Sequence, residues 1–135
     1  MANRESQDIM VLLKKKQNHI DQIYKYTMDM EKSASQNDTD TINMLLEMRY
    51  KLMVETEDFD EKIDSIIKSL SPIERIKISA QMSENPISSE VSFEEAKINE
   101  IWFSTRILLR KIIESDEKLK LKIEALSKLS SMDSV

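Results

Sequence analysis

The sequence predicts an all-α fold, an antiparallel helical bundle of three long helices plus one short helix. Three observations carry this. The 135 residues contain no glycine and only two prolines, Pro72 and Pro86; average usage would place about nine glycines in such a chain. Hairpin turns, bulges and phosphate loops lean on glycine for positive φ. Apolar residues recur at steps of three and four over long stretches, the spacing of one helix face. Ser71 and Ser92 each precede a glutamate by three residues, Glu74 and Glu95, which is the capping-box pattern of a helix start.

The first helix is expected over residues 6–32, with Ile9, Leu13, Ile20, Ile23 and Met30 on its inner face and Lys16 and Thr27 interrupting that seam. The polar run from Ser33 to Asp40 reads as a loop. The second helix, residues 40–70, carries an unbroken seam from Ile42 through Leu45, Arg49, Leu52, Thr56, Phe59, Ile63 and Ile66 to Leu70. A sustained repeat near 3.5 requires a long, nearly parallel neighbour. Asp38 or Asp40 serves as its N-cap.

Ser71-Pro72-Ile73-Glu74 ends that helix and starts a third over residues 72–82, since proline at the first helical position loses no hydrogen bond. Ile73, Ile76 and Ala80 are expected to face inward. Asn85-Pro86 marks the next break. The last helix, residues 93–129, carries Ile98, Ile101, Thr105, Leu108, Ile112, Asp116, Leu119, Ile123 and Leu126, with Trp102, Leu109 and Ile113 broadening the stripe. It is longer than its neighbours, so residues 118–129 are expected to kink, fray or protrude. Residues 130–135 are expected to be disordered. Residues 1–135 form one domain, its connections eight to ten residues long.

Composition excludes several functions. Without cysteine there is no disulfide, thiolate nucleophile or cysteine zinc site. His19 is the single histidine, too few for a two-histidine metal helix, and it reads as a plain surface or boundary residue. No catalytic constellation, metal site or cofactor is expected. The net charge of −5 and sparse aromatics argue against nucleic acid. No segment has the apolar length of a membrane span, and no signal sequence is visible. A cytoplasmic interaction protein, not an enzyme, is the expectation.

Within that reading, Glu55, Glu57, Asp58, Asp60, Glu61 and Asp64 form either a solvated helix face or a surface for a cation or a basic partner. Arg49, on an otherwise apolar seam, either snorkels to water, pairs with a carboxylate of another helix, or meets a partner. Trp102 is either core or a binding anchor. Met44 and Met48 lie four apart, off the main seam. Their thioethers either fill core gaps or line a groove for a partner helix. On the groove reading, Met48→Asp abolishes binding of an amphipathic helix without unfolding the bundle.

Several of these residues also carry a resemblance. Thr27 in the first helix, the polar Asn37-Asp38 turn, Leu45-Leu46 and then Arg49, with Ile112-Ile113 through Asp116 to Leu119 near the end, resemble the FliT-like flagellar export chaperones. FlgN-type chaperones are the close rival. The resemblance implies a helical protein that holds the C-terminal amphipathic helix of a flagellar cap protein or other axial export client, with export ATPase components as further partners. It implies a groove formed by Met44, Leu45, Met48, Leu52, Ile73 and Ile76, and a regulatory element in the last helix around Leu119, Ile123 and Leu126. The rival is a structural coiled-coil or homodimerisation module without a client.

Overall fold

The computed structural model describes residues 3–84 and 91–133, and the side chains of 4–84 and 91–129. Four helices appear in the order α1 (Asn3–Ser35), α2 (Thr39–Ser69), α3 (Pro72–Gln81) and α4 (Phe93–Asp133). The chain is an all-α bundle of three long helices and one short one, and the described residues contain no strand.

α1 is the central element. It packs along its whole length against both α2 and α4, while α2 and α4 make no comparable approach to each other. Three apolar clusters fix the directions. Ile9 and Leu13 of α1 meet Ile63 and Leu70 of α2 with Ile98 and Ile101 of α4. Ile20 and Ile23 meet Ile112, with Leu52 packed alongside. Met30 and Ala34 meet Ile42, Leu45 and Leu119. Thus α2 runs antiparallel to α1, and α4 returns parallel to it. Ile9 and Ile98 are fully buried, and each such side chain contributes about 1.5–3 kcal/mol by leaving water. All five apolar positions expected on the inner face of α1 are buried.

The first connection is tighter than the expected eight-residue loop. α1 continues through Ser35, and three residues reach α2. Asp38 donates its N–H to Ser33 O, and Asn37 donates to Ala34 O, the paired bonds of a Schellman ending. Asn37 has φ 58°, the left-handed position that glycine usually takes; asparagine tolerates it best among the other residues. Ser33 and Ala34 are buried, which holds the last turn in the helix.

Asp38, not Asp40, is the N-cap of α2. Its carboxylate accepts the N–H of Thr41 at 3.1 Å and also the Thr41 hydroxyl. These bonds favour the charged form and hold its pKa below the ordinary 3.8. A depressed folded value means the cap is fully effective above the unfolded value and is lost as pH falls through the folded one. Asp38→Ala is therefore expected to lower the thermal midpoint at pH 7 and to have a smaller effect at pH 2, which a pair of melting curves checks.

Ser71 caps α3, its hydroxyl accepting the Glu74 N–H at 3.4 Å, with Pro72 at the first position. The Arg75 guanidinium turns back to donate to the carbonyls of Lys68 and Leu70 at 3.1 and 3.3 Å, which serves orphan acceptors at the end of α2. The expected inner face of α3 is corrected. Ile73 and Ile76 are 69% and 64% exposed, and Ala80 is half-buried. Ile78 and Gln81 are the buried residues, Ile78 seated among Ile9, Leu13, Ile63, Leu70, Ile98 and Ile101. The chain's direction after the Ser71-Pro72 turn sets which stripe faces the core, and periodicity on ten residues offers two apolar stripes.

Ser92 caps α4, accepting the Glu95 N–H at 3.1 Å. The Asn85-Pro86 break lies outside the described residues. α4 spans 41 residues, roughly 60 Å. Its far segment stays on the bundle: Leu119 is buried and Leu126 packs beside it, and Lys122 Nζ donates to Ser35 Oγ at 3.1 Å. Only the turns after Leu126 run past the end of α1. Residues 130–133, expected to be disordered, continue the helix; 134 and 135 lie outside the described residues. Ile113, expected to broaden the stripe, is exposed.

Candidate functional site

Because α1 holds α2 and α4 apart, the two leave a channel above it, where the fourth helix of a bundle would lie. α3 occupies that position at one end only. It packs on both α2 and α4, and Ile78 reaches through to α1. Ten residues of α3 cover about 15 Å of it, and the chain runs on over it to Glu84, which meets Arg106 and Arg110. Beyond Glu84 no described residue fills the channel.

The open part has an apolar cleft at its far end. Ile42, Asn43 and Leu46 of α2 face Ile123, Leu126 and Ser127 of α4 across about 400 Å³. It adjoins a shallower hollow of about 290 Å³ that shares Leu46 and Ile123 and reaches Arg49, Asp116 and Lys120. Met53, seven residues after Leu46 and so on the same flank of α2, and Ile113 of α4 are also exposed. Isolated exposed apolar residues are ordinary. Four of them flanking a single channel are an unpartnered surface.

The floor is apolar where α3 covers it, and where the channel is open polar side chains sit among the apolar ones. At its centre Arg49 Nη1 donates to Asp116 Oδ1 at 2.7 Å and to Thr27 Oγ1 at 3.0 Å, joining all three long helices. The Thr27 hydroxyl in turn donates to Ile23 O at 2.8 Å, and Thr27 is 0% exposed. The Arg49 side chain is 16% exposed and that of Asp116 42%. Of the alternatives for Arg49, the structure therefore selects pairing to a carboxylate of another helix. One level down, Lys16 Nζ meets Asp60 Oδ1 at 2.8 Å, and Thr56 and Thr105 close their hydroxyls onto Leu52 O and Ile101 O. A guanidinium this sheltered makes its partner matter. Asp116→Ala is expected to destabilise the bundle by roughly 1–2 kcal/mol. A double-mutant cycle with Arg49→Met, read by urea denaturation, is expected to show about 1 kcal/mol of coupling.

The six residues expected to form the groove do not share one surface. Leu45 is buried and Leu52 half-buried on the α1 side of α2. Met44 and Met48 are exposed, yet by their spacing from Leu45 they lie on the flank of α2 opposite Leu46. Ile73 and Ile76 stand on the outer face of α3, about 30 Å from Met48 along α2. Of the expected regulatory residues, Leu119 and Leu126 belong to the cluster around Met30, and Ile123 forms one wall of the cleft.

The other candidate residues have structural partners. His19 joins α1 to α2: one ring nitrogen faces Glu55 at 2.5 Å and the other Lys15 O at 3.1 Å, with Phe59 edge-on. The acidic residues of α2 are exposed, and Asp58 and Asp64 pair with Lys62 and Lys68 along their own helix. Trp102 is half-buried with the Arg106 guanidinium 5.6 Å over its ring. Among the described residues no group of three metal-ligating side chains is assembled, and no helix is long and apolar enough to cross a membrane.

Leu46, Met53 and Ile113 were not among the residues expected to form the groove. Their signal was there, apolar residues at sevenfold spacing beside the main seam, but it did not say which flank faced α4. Compared with protein-family models, characterised proteins and solved structures, the chain matches none.

Proposed function

We propose that this protein is an interaction module that receives an amphipathic helix of a partner in the channel between α2 and α4, in the manner of the flagellar export chaperones it resembles. The observation that supports this is the channel itself: α3 and the residues up to Glu84 fill its fourth-helix position at one end, no described residue fills the rest, and Leu46, Met53, Ile113 and Ile123 are exposed at its sides. Thr27 and Arg49, which carry part of the resemblance, lie at the floor of the open part. On this reading the partner is the C-terminal helical segment of a flagellar cap or axial protein, held in the cytoplasm before export so that its apolar stripe does not aggregate. No catalytic role is proposed.

Calorimetric titration with the C-terminal helical segment of the cap protein from the same organism tests the client. Saturable one-to-one binding at micromolar affinity is expected. No binding to that segment removes the flagellar assignment. The rival, a homodimerisation module, fills the channel with a second copy. Sedimentation at rising concentration separates the two: a concentration-independent monomer is expected here, and a dimer that does not dissociate on adding the segment overturns the reading.

A further inference from the structure

Resting on the channel as the partner-helix site, we propose that the guest helix carries a side-chain amide, glutamine or asparagine, over the Arg49–Asp116 pair, with an apolar anchor seven residues away in the cleft beside Leu46. The open part of the channel has an order along its length. At the far end Ile42 and Leu46 face Ile123 and Leu126 across the apolar cleft. Arg49 stands seven residues from Ile42 and Asp116 seven from Ile123, so the pair lies two helical turns, about 10 Å, from the cleft. One turn further on, Met53 and Ile113 are exposed apolar side chains. A helix laid along the channel therefore meets apolar, polar and apolar groups in turn, at spacings that recur on one helix face.

The polar stretch is neutral and incompletely bonded. The hollow there is lined by two cations, Arg49 and Lys120, and two carboxylates, Asp116 and Glu124. A guest lysine or glutamate would meet attraction from one sign and repulsion from the other. Arg49 Nη1 is engaged by Asp116 Oδ1 and Thr27 Oγ1. Arg49 Nε and Nη2 and Asp116 Oδ2 make no hydrogen bond among the described residues, and none of these three atoms is closed off from solvent. An apolar guest residue would cover them without bonding them, which is costly for charged groups. A side-chain amide offers a carbonyl to the guanidinium and an NH2 to the carboxylate, so one neutral residue answers both. The helix already seated in the channel enters it with the same two kinds of side chain, Ile78 and Gln81, at 2% and 3% exposure. A lone polar residue in an apolar seam also fixes the register of helix pairing, so the amide sets where along the channel the guest stops.

Four synthetic helical peptides test this on the intact protein by calorimetric titration. Each carries leucine four and seven residues to either side of a central position, so that either direction of the helix sets a leucine in the cleft. They differ only in the central residue: glutamine, leucine, glutamate or lysine. The glutamine peptide is expected to bind about tenfold more tightly than the leucine peptide, and more tightly than either charged one. Leu46→Asp is expected to weaken all four, which assigns their binding to the channel. Arg49→Met with Asp116→Leu removes both polar partners together and is expected to reverse the ranking of glutamine and leucine. Melting curves show whether that variant is folded, and the wild-type ranking decides by itself if it is not. Equal or tighter binding of the leucine, glutamate or lysine peptide to the wild-type protein, still weakened by Leu46→Asp, overturns the amide rule and leaves the channel. An unchanged ranking in the folded double variant overturns the amide rule too. If no peptide binds, or Leu46→Asp weakens none, the channel reading falls with it.

Discussion

Leu46→Asp weakens partner-helix binding by about 100-fold or more, while Met48→Asp, two residues away, leaves it within about threefold. The difference is one of flank. Leu46 belongs to both hollows between α2 and α4, so a bound helix would take it out of water, and a carboxylate there would be desolvated without a partner. Losing an anchor of this kind costs about 2–4 kcal/mol, and each 1.4 kcal/mol is tenfold in affinity. Met48 stands on the other flank of α2 and meets solvent in either state. Leu46 is already partly exposed, so its replacement moves stability by only about 0.5 kcal/mol. Titration of both variants with the same amphipathic segment, beside their melting curves, checks the pair. Loss of binding on Met48→Asp with Leu46→Asp unaffected moves the site to the opposite flank, where the residue pattern alone had put it.

Ile78→Ala lowers unfolding free energy by roughly 2–4 kcal/mol, although it lies in the shortest helix. Ile78 is 2% exposed and is the apolar side chain by which α3 enters the cluster of Ile9, Leu13, Ile63, Leu70, Ile98 and Ile101. Truncating it leaves a cavity at the point where four helices meet, and no other apolar side chain of α3 belongs to that buried cluster. The polar bonds at its two ends remain, from Arg75 to the carbonyls of Lys68 and Leu70 and from Asn99 Nδ2 to Gln81 O at 2.8 Å, but they do not fill the cavity. Ile73→Ala is the control: the side chain is mostly in solvent, and a change within about 0.5 kcal/mol is expected. Urea denaturation gives both values. Hydrogen exchange in α3 of Ile78→Ala is expected to rise to the rate of an exposed segment while α1 stays protected. Equal effects of the two substitutions would mean that α3 does not seat as described.

The seams were legible because burial imposes a period on a long helix, and about thirty residues sample it many times. Every apolar position expected inside α1 is buried, as are Ile42, Leu45 and Ile63 of α2. The residues that broke those seams, Thr27, Arg49 and Asp116, were visible as interruptions in three separate helices. That they bond to one another was not, because nothing local couples positions so far apart in the chain. Asn37 shows the same limit on a smaller scale. The turn was evident from polarity, but its length depended on Ser33 and Ala34 being buried against other helices.

The sequence by itself determined the all-α architecture, the order and caps of the helices, and the faces that the long ones bury, since these follow from backbone geometry and from a repeat the chain carries along its length. Only the tertiary structure decided which flank of α2 meets α4, which stripe of α3 turns inward, and that a channel opens between α2 and α4 above the Arg49, Asp116 and Thr27 side chains. Those outcomes depend on how far apart two helices are held by a third. The spacing is set by packing across the whole bundle, and no local pattern encodes it.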